Sequence, residues 1–146
     1  MEIKQISVEL DHVPGTLWEM TNVLAAKNVN IRALTVLNST KKSTVRLIVD
    51  NVLWAASALR EAGFDVEFTD VLAVDVPNVA GGLNKVLEIL KNAGVNIEYL
   101  YDVGHKYYFH MKDACIVFKF TDNERAYSAL KEAGVKVFDV EEMLAF

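Results

Sequence analysis

Cysteine is nearly absent. Cys115 is the one thiol in 146 residues, so no internal disulfide can form. A single thiol fits a reducing compartment. Clusters of Lys and Arg are missing too, and the net charge is −5. Nucleic acid and anionic membrane surfaces both demand a cationic footprint, so neither is expected as a partner. No apolar run approaches the ~20 residues of a membrane span. The start, MEIKQISVEL, has neither a basic leader nor a long apolar run, so no signal peptide is visible. The expectation is a soluble cytoplasmic protein. Apolar types make up 52% of the chain against 24% charged, which is enough to bury a core and to exclude disorder as the main state. The length allows one ordinary domain or two small ones.

The chain is one unit written twice. At a shift of 66, Val13 meets Val79, Gly15 meets Gly81 and Leu17 meets Leu83. Val29-Asn30-Ile31 meets Val95-Asn96-Ile97, and Leu34 meets Leu100. Later the shift is 71, where SALREAG (Ser57 to Gly63) meets SALKEAG (Ser128 to Gly134). The second copy therefore holds five extra residues, around Gly104 to Asp113.

Each copy predicts strand, helix, strand, strand, helix, strand. Ile6, Val8 and Leu10 alternate with polar residues, the period of a half-buried strand. Pro14-Gly15 marks a turn into a helix, on which Leu17, Met20 and Leu24 share one face. In the second copy Leu83, Val86, Leu87 and Leu90 make a fuller stripe. Asn28 and Gly94 stand where a helix stops, since both types tolerate positive φ. Ile31–Leu37 and Ser43–Val49 read as a hairpin about residues 38–42. Val52–Ala62 reads as the second helix and Phe64–Asp70 as the fourth strand. Val66–Val76 is nearly continuous β-prone chain, so the boundary falls near Asp70-Val71 with no flexible linker. The domains are expected to be residues 1–70 and 71–146.

That element order is α+β and ferredoxin-like: βαββαβ, helices on one face of an antiparallel sheet. Units of about 70 residues are marginal alone. Leu34, Val36, Ile48, Leu100 and Val117 are expected to point away from the helices. Apolar residues on both faces imply cover, by side-by-side pairing of the two sheets and then by a second chain. A homodimer is the expected state.

Fold does not give function, so sites must be tested. The loop after the first strand has no Arg for a phosphate cradle and no CxxC for metal transfer. Tyr99 and Tyr101 could stack on RNA bases, but the acidic balance opposes it. What remains is the loop itself: Asp11, His12, Val13, Pro14, Gly15, Thr16 and Leu17 in copy one, and Asn78, Val79, Ala80, Gly81, Gly82 and Leu83 in copy two. Glycine at a helix start lets backbone approach a ligand closely. The first helix amides have no internal partner and present the positive dipole end. Together they suit a carboxylate. His12 and Asn78 share a repeat position, and both can donate to an oxygen.

The pattern x-D-x-x-P-G-x-L, then a helix, then V-N-I on the second strand, resembles the ACT domain, an amino-acid-binding regulatory module. The resemblance covers essentially the whole chain as two tandem copies. It implies side-by-side domain pairing with a free amino acid at the seam. The contacts it implies come from Asp11 through Leu17 with Asn96 and Ile97 opposite. The pseudo-symmetric set is Asn78 through Leu83 with Asn30 and Ile31 opposite. Copy one departs from the pattern with His12 where Asn is common, and copy two with Ala80 in place of Pro. With no catalytic domain in the chain, regulation of a partner enzyme would act in trans. Val13, Leu17, Val79 and Leu83 point to an apolar or aromatic ligand. An interaction module that has lost its ligand is the alternative.

Other residues read more plainly. His105, His110, Asp113 and Cys115 match no tight metal-ligand spacing, and Tyr107, Tyr108 and Phe109 between them suit a packing loop. Cys115 is expected in the core, and Trp54 as a partly buried helix residue or an interface anchor. No acid, base or nucleophile recurs at matched positions, since Asp11 meets Pro77. No enzyme activity, cofactor or metal is expected.

Overall fold

The alternating run at the N-terminus forms strand β1, Ile3–Asp11, with Ile6, Val8 and Leu10 buried and Glu9 exposed. The computed structural model describes residues 2–108 and 111–146. After β1 come α1 (Thr16–Ala26), β2 (Ile31–Asn38), β3 (Lys42–Val49), α2 (Val52–Glu61) and β4 (Asp65–Pro77). The second copy continues with α3 (Gly82–Asn92), β5 (Ile97–Tyr108), β6 (Met111–Phe120), α4 (Asn123–Glu132), β7 (Val137–Phe138) and α5 (Val140–Leu144). Contacts divide the chain into a first unit, Lys4–Thr69, and a second, Asp70–Phe146 with the first residues of the chain. The division falls inside β4.

In the first unit the strand order is β2-β3-β1-β4, with β3 antiparallel to both β1 and β2. In the second it is β7-β4-β6-β5, with β6 antiparallel to β4 and β5, and β7 antiparallel to β4. This is the ferredoxin-like arrangement made twice.

The repeat is visible in the backbone chemistry. Asn51 Oδ1 accepts from Trp54 N–H at 3.2 Å to cap α2, and Asp122 Oδ1 accepts from Arg125 N–H at 3.0 Å to cap α4. Asn28 at φ 56° and Gly94 at φ 67° end α1 and α3 in the left-handed region. Each is followed by a residue that reaches back over the stop. Val29 N–H donates to Leu24 O and Val95 N–H to Leu90 O, both at 3.0 Å. Each unit has its own core. Met20, Leu24, Leu47 and Leu59 anchor the first, and Leu72, Leu90, Phe118 and Leu130 the second. Burying each such side chain stabilises its unit by about 1.5–3 kcal/mol.

The facing of the two edge strands corrects one expectation. Leu34 stands opposite Leu47, Val36 opposite Val45 and Leu100 opposite Phe118. Directly opposed residues share a face, so these three lie on the helix side rather than away from it. The cause is a register irregularity between Ile31 and Ala33 in β2, matched between Ile97 and Tyr99 in β5. One extra residue inverts the alternation after it, in β5 as far as a second irregularity between Asp102 and Gly104. Ile48 and Val117 do face away, and both are buried.

The second unit ends differently from the first. Its last strand shrinks to two residues, and α5 follows. Asp139 and Glu142 form a capping box, each side chain accepting from the other's backbone N–H. The Phe138 and Phe146 rings lie 5.0 Å apart, and Met143 is buried. Lys136 Nζ donates to Glu142 Oε1 at 2.6 Å. That bond holds the Glu142 carboxyl below its ordinary 4.5 and raises the Lys136 ammonium above its ordinary 10.5.

The stability linked to Glu142 is therefore present above the unfolded carboxylate value and is lost as pH falls through the lowered folded value. The Lys136 contribution is present below the unfolded lysine value and is lost as pH rises through the raised one. Between about pH 6 and about pH 3, melting of the wild-type chain should fall more than melting of Glu142→Gln, which keeps the cap but cannot titrate. Equal falls in thermal scans of the two proteins would show that the pair contributes nothing.

Candidate functional site

The turn from β1 into α1 is held by three sets of bonds. The His12 and Val13 amides donate to Lys41 O at 3.0 Å and Asp11 O at 2.9 Å. Thr16 Oγ1 lies 2.8 Å from Asp11 O and 3.1 Å from Val13 O, donating back across the turn. Lys42 Nζ donates to Asp11 Oδ1 at 2.7 Å, which raises the Lys42 pKa. Both members of that pair are exposed, so its net worth is small. Ser43 Oγ donates to Asn38 Oδ1 at 2.7 Å and stands 3.1 Å from His12 Nδ1. With the Ser43 proton directed at Asn38, the His12 ring donates from Nδ1, and its other nitrogen is an acceptor while the ring is neutral. The donor expected of His12 is thus engaged by the hairpin.

Gly15 is the N-cap of α1 at φ 92°, with no side-chain cap. A non-glycine residue there would carry left-handed strain of about 1–2 kcal/mol. The first intrahelical bond is Glu19 N–H to Gly15 O at 2.9 Å, so the amides before it point out of the helix end. Exposed Val13 and Leu17 flank that end.

The second loop has the same path and different closure. Gly81 at φ 81° caps α3, again without a side chain, and Lys85 N–H donates to Gly81 O at 3.0 Å. Here Gly82 N–H turns back to Val79 O at 2.9 Å. A Cβ on Gly82 would stand 1.9 Å from Pro77 O, whereas the matched Thr16 fits a side chain in the first loop. The two helix ends are therefore not equivalent sites.

The strand-entry residues lie elsewhere in each unit. β1 and β2 are both antiparallel to β3, so Asn30 and Ile31 sit at the opposite end of the first unit from Gly15. The same reasoning separates Asn96 and Ile97 from Gly81. Their backbones shape the strand entry. Asn30 O accepts from Asp50 N–H at 3.2 Å, and Asn96 O from Thr121 N–H at 3.1 Å.

Beside the first helix end is an open hollow of about 280 Å³. Asp11 and Thr16 line it with Glu9, Glu19, Lys42 and Asp65. Four carboxylates around one ammonium favour a cationic group, while the helix amides favour an anionic one. Of the first turn of α1, Thr16 and Glu19 line the hollow. Glu9, Glu19, Lys42 and Asp65 were not expected from sequence. They come from three strands and a helix, and only the alternation of Glu9 with Leu10 hinted at an exposed carboxylate.

The other candidates resolve simply. Among the described residues, no group of three or more His, Cys, Asp or Glu side chains could hold a metal. Phe109 and His110, and the side chains of Tyr107, Tyr108 and Asp113, lie outside the described residues. His105 Nε2 lies 3.4 Å from Asp102 Oδ2. Cys115 is buried, and desolvation pushes its thiol up to about 12, which makes it unreactive.

Comparison with known proteins adds to this geometry. The family model described as the ACT domain pair matches residues 1–124. A crystal structure of protein BT0572 from Bacteroides thetaiotaomicron is 34% identical, covering 98% of this chain and 96% of that one, with a TM-score of 0.89. The ligand-free regulatory subunit of aspartate kinase from Thermus thermophilus has a TM-score of 0.63 at 18% identity, covering 90% of each chain. Its counterpart from Thermus flavus has a TM-score of 0.62 at 16% identity, covering 88% of each. At those identities the two subunits show the fold alone. Among curated proteins none matches this chain.

Proposed function

This chain belongs to the ACT domain family as a domain pair, and from that premise we propose that it binds a free amino acid and regulates a metabolic enzyme or regulator in trans. The observation that carries the reading is the first helix end. An uncapped Gly15 turn offers amides to a carboxylate, and the adjoining carboxylates of Asp11 and Glu19 offer an ammonium its counterpart. Val13 and Leu17 supply apolar contact for the ligand's side chain. Asn96 and Ile97 keep the facing role that the family resemblance implies for the first loop, and Asn30 and Ile31 for the second. Membership of the ACT domain family, together with the lack of any acid, base or nucleophile recurring at matched positions of the two loops, supports a regulator over an enzyme. No helix among the described residues is long and apolar enough to cross a membrane. A cytoplasmic homodimer is part of the proposal, on the single thiol and on the pairing that the family resemblance implies.

Binding to the folded state alone raises stability by about 2.7 kcal/mol at a hundredfold excess over Kd. For a chain of this length that is a Tm rise of roughly 5–10 °C. A thermal-shift screen of the twenty amino acids should therefore single out one or a few. Gly15→Val should abolish that rise; a Cβ there meets no atom within 4 Å, and the positive φ of 92° supplies the strain that opposes it. Gly81→Val asks the same of the second loop. A flat screen with the wild-type chain would remove the ligand from the proposal. The second reading, an interaction module without a ligand, would then stand on the exposed apolar residues of the first unit.

A further inference from the structure

A sheet with helices on one side has an open face on the other. In the second unit that face is apolar, and the chain covers it with its own residues. Ala73, Cys115 and Val117 lie on it, since they alternate with the core residues Leu72, Val74 and Phe118, and all three are fully buried. Ala73 stands opposite Phe138 in β7, and Cys115 opposite Gly104 in β5. Directly opposed residues share a face, so Phe138 and the side-chain position of Gly104 are on it too. Phe146 rests on Gly104, where a Cβ would stand 3.7 Å from Phe146 Cβ. Residues 138–146 therefore run from beside β4 to β5, which takes them across β6 and its Cys115. In the first unit the residues matched to Ala73, Cys115 and Val117 are Ser7, Thr44 and Arg46, polar and half-buried.

The seat is shaped for this cover. Of the seven glycines only Gly104 lies within a strand, where a missing side chain lets another segment approach. β5 shifts register between Asp102 and Gly104, and Asp102 Oδ1 accepts from Gly104 N–H at 2.9 Å. The matched strand β2 shifts only once, between Ile31 and Ala33. Yet little fastens the cover down. β7 pairs through two residues, and α5 has five, far fewer than a helix needs to persist alone. Met143 is the buried side chain of α5, and the Phe138 and Phe146 rings meet at 5.0 Å. The Asp139–Glu142 capping box and the Lys136–Glu142 pair hold the start of the helix, and a solvated pair of that kind is worth little. Segments with few buried contacts open before the body that carries them.

We propose that residues 138–146 are a strap that opens by itself while the rest of the second unit stays folded. Closed, it occupies the apolar face. Open, it bares Ala73, Cys115 and Val117, so the strap gates access to that face. This proposal does not depend on the ligand.

The test uses Cys115 as the reporter, because it is the one thiol of the chain and lies under the strap. The full chain is treated with excess Ellman's reagent in native buffer and at urea concentrations below its unfolding transition. Local opening exposes little surface, so the labelling rate should stay within about twofold across that range. Glu142→Lys removes the cap and the ion pair and sets a like charge beside Lys136, so labelling should quicken at least tenfold, to order of magnitude. Val86→Ala thins the core on the helix side of the sheet. It should lower the unfolding midpoint, followed by circular dichroism, and leave the labelling rate within about twofold. A rate that climbs with urea along the unfolding curve overturns the proposal. So does equal acceleration by Val86→Ala and Glu142→Lys, since Cys115 would then be reached only when the whole unit unfolds. A thiol that labels as fast as in the unfolded chain, or does not label at all, overturns it as well.

Discussion

Gly82→Thr is expected to cost the second unit about 3 kcal/mol or more, although threonine is the residue the first unit carries at that position. A Cβ at residue 82 would fall 1.9 Å from Pro77 O and 2.9 Å from Pro77 C. Both atoms belong to the backbone, so no side chain can swing aside, and either β4 or the start of α3 must move. In the first unit Thr16 holds its loop by donating to two carbonyls, while in the second the loop is closed by approach of the backbone itself. The measurement is urea unfolding followed by two local signals. Both tryptophans lie in the first unit and all five tyrosines in the second. The tyrosine-reported transition should move to lower urea. A variant within about 0.5 kcal/mol of wild type would show that the loop has more room than this geometry allows.

Phe118→Ala should be the more damaging core change, at about 4 kcal/mol. Phe118 is fully buried and stacks on Phe120 with ring centroids 5.3 Å apart and planes 4° from parallel. Truncation removes the transfer energy of the ring and leaves a cavity that a sheet held by β4 on one side and β5 on the other cannot collapse. Leu37→Ala, at an exposed site of the first unit, is the control and should stay within about 0.5 kcal/mol. Equilibrium unfolding of both variants checks the contrast. A loss below about 1 kcal/mol for Phe118→Ala would mean that the ring is not packed as described.

Much of the protein follows from its sequence, and the boundary is physical. The caps at Asn51 and Asp122 first showed in the structure, whereas the duplication, the order of strands and helices and the left-handed stops at Asn28 and Gly94 were all legible. Each depends on backbone torsions and hydrogen bonds that span four or five residues. Repetition then doubled every such signal at a constant offset. The Gly15 and Gly81 turns were legible for the same reason. The facing of Leu34, Val36 and Leu100 was not. Alternation assigns a face only while register is kept, and pairing with β3 and β6 is what puts an extra residue into β2 and β5. The carboxylates beside the first helix end were not legible either, because Glu9, Glu19 and Asp65 become neighbours only when three separate elements dock. Nor does sequence distance say that Trp54 rests on the end of α1. Local torsional and capping preferences were enough to specify the elements. Which side chains share a surface, and which of the two helix ends keeps room for a side chain, was decided by pairing and packing between residues far apart in the chain.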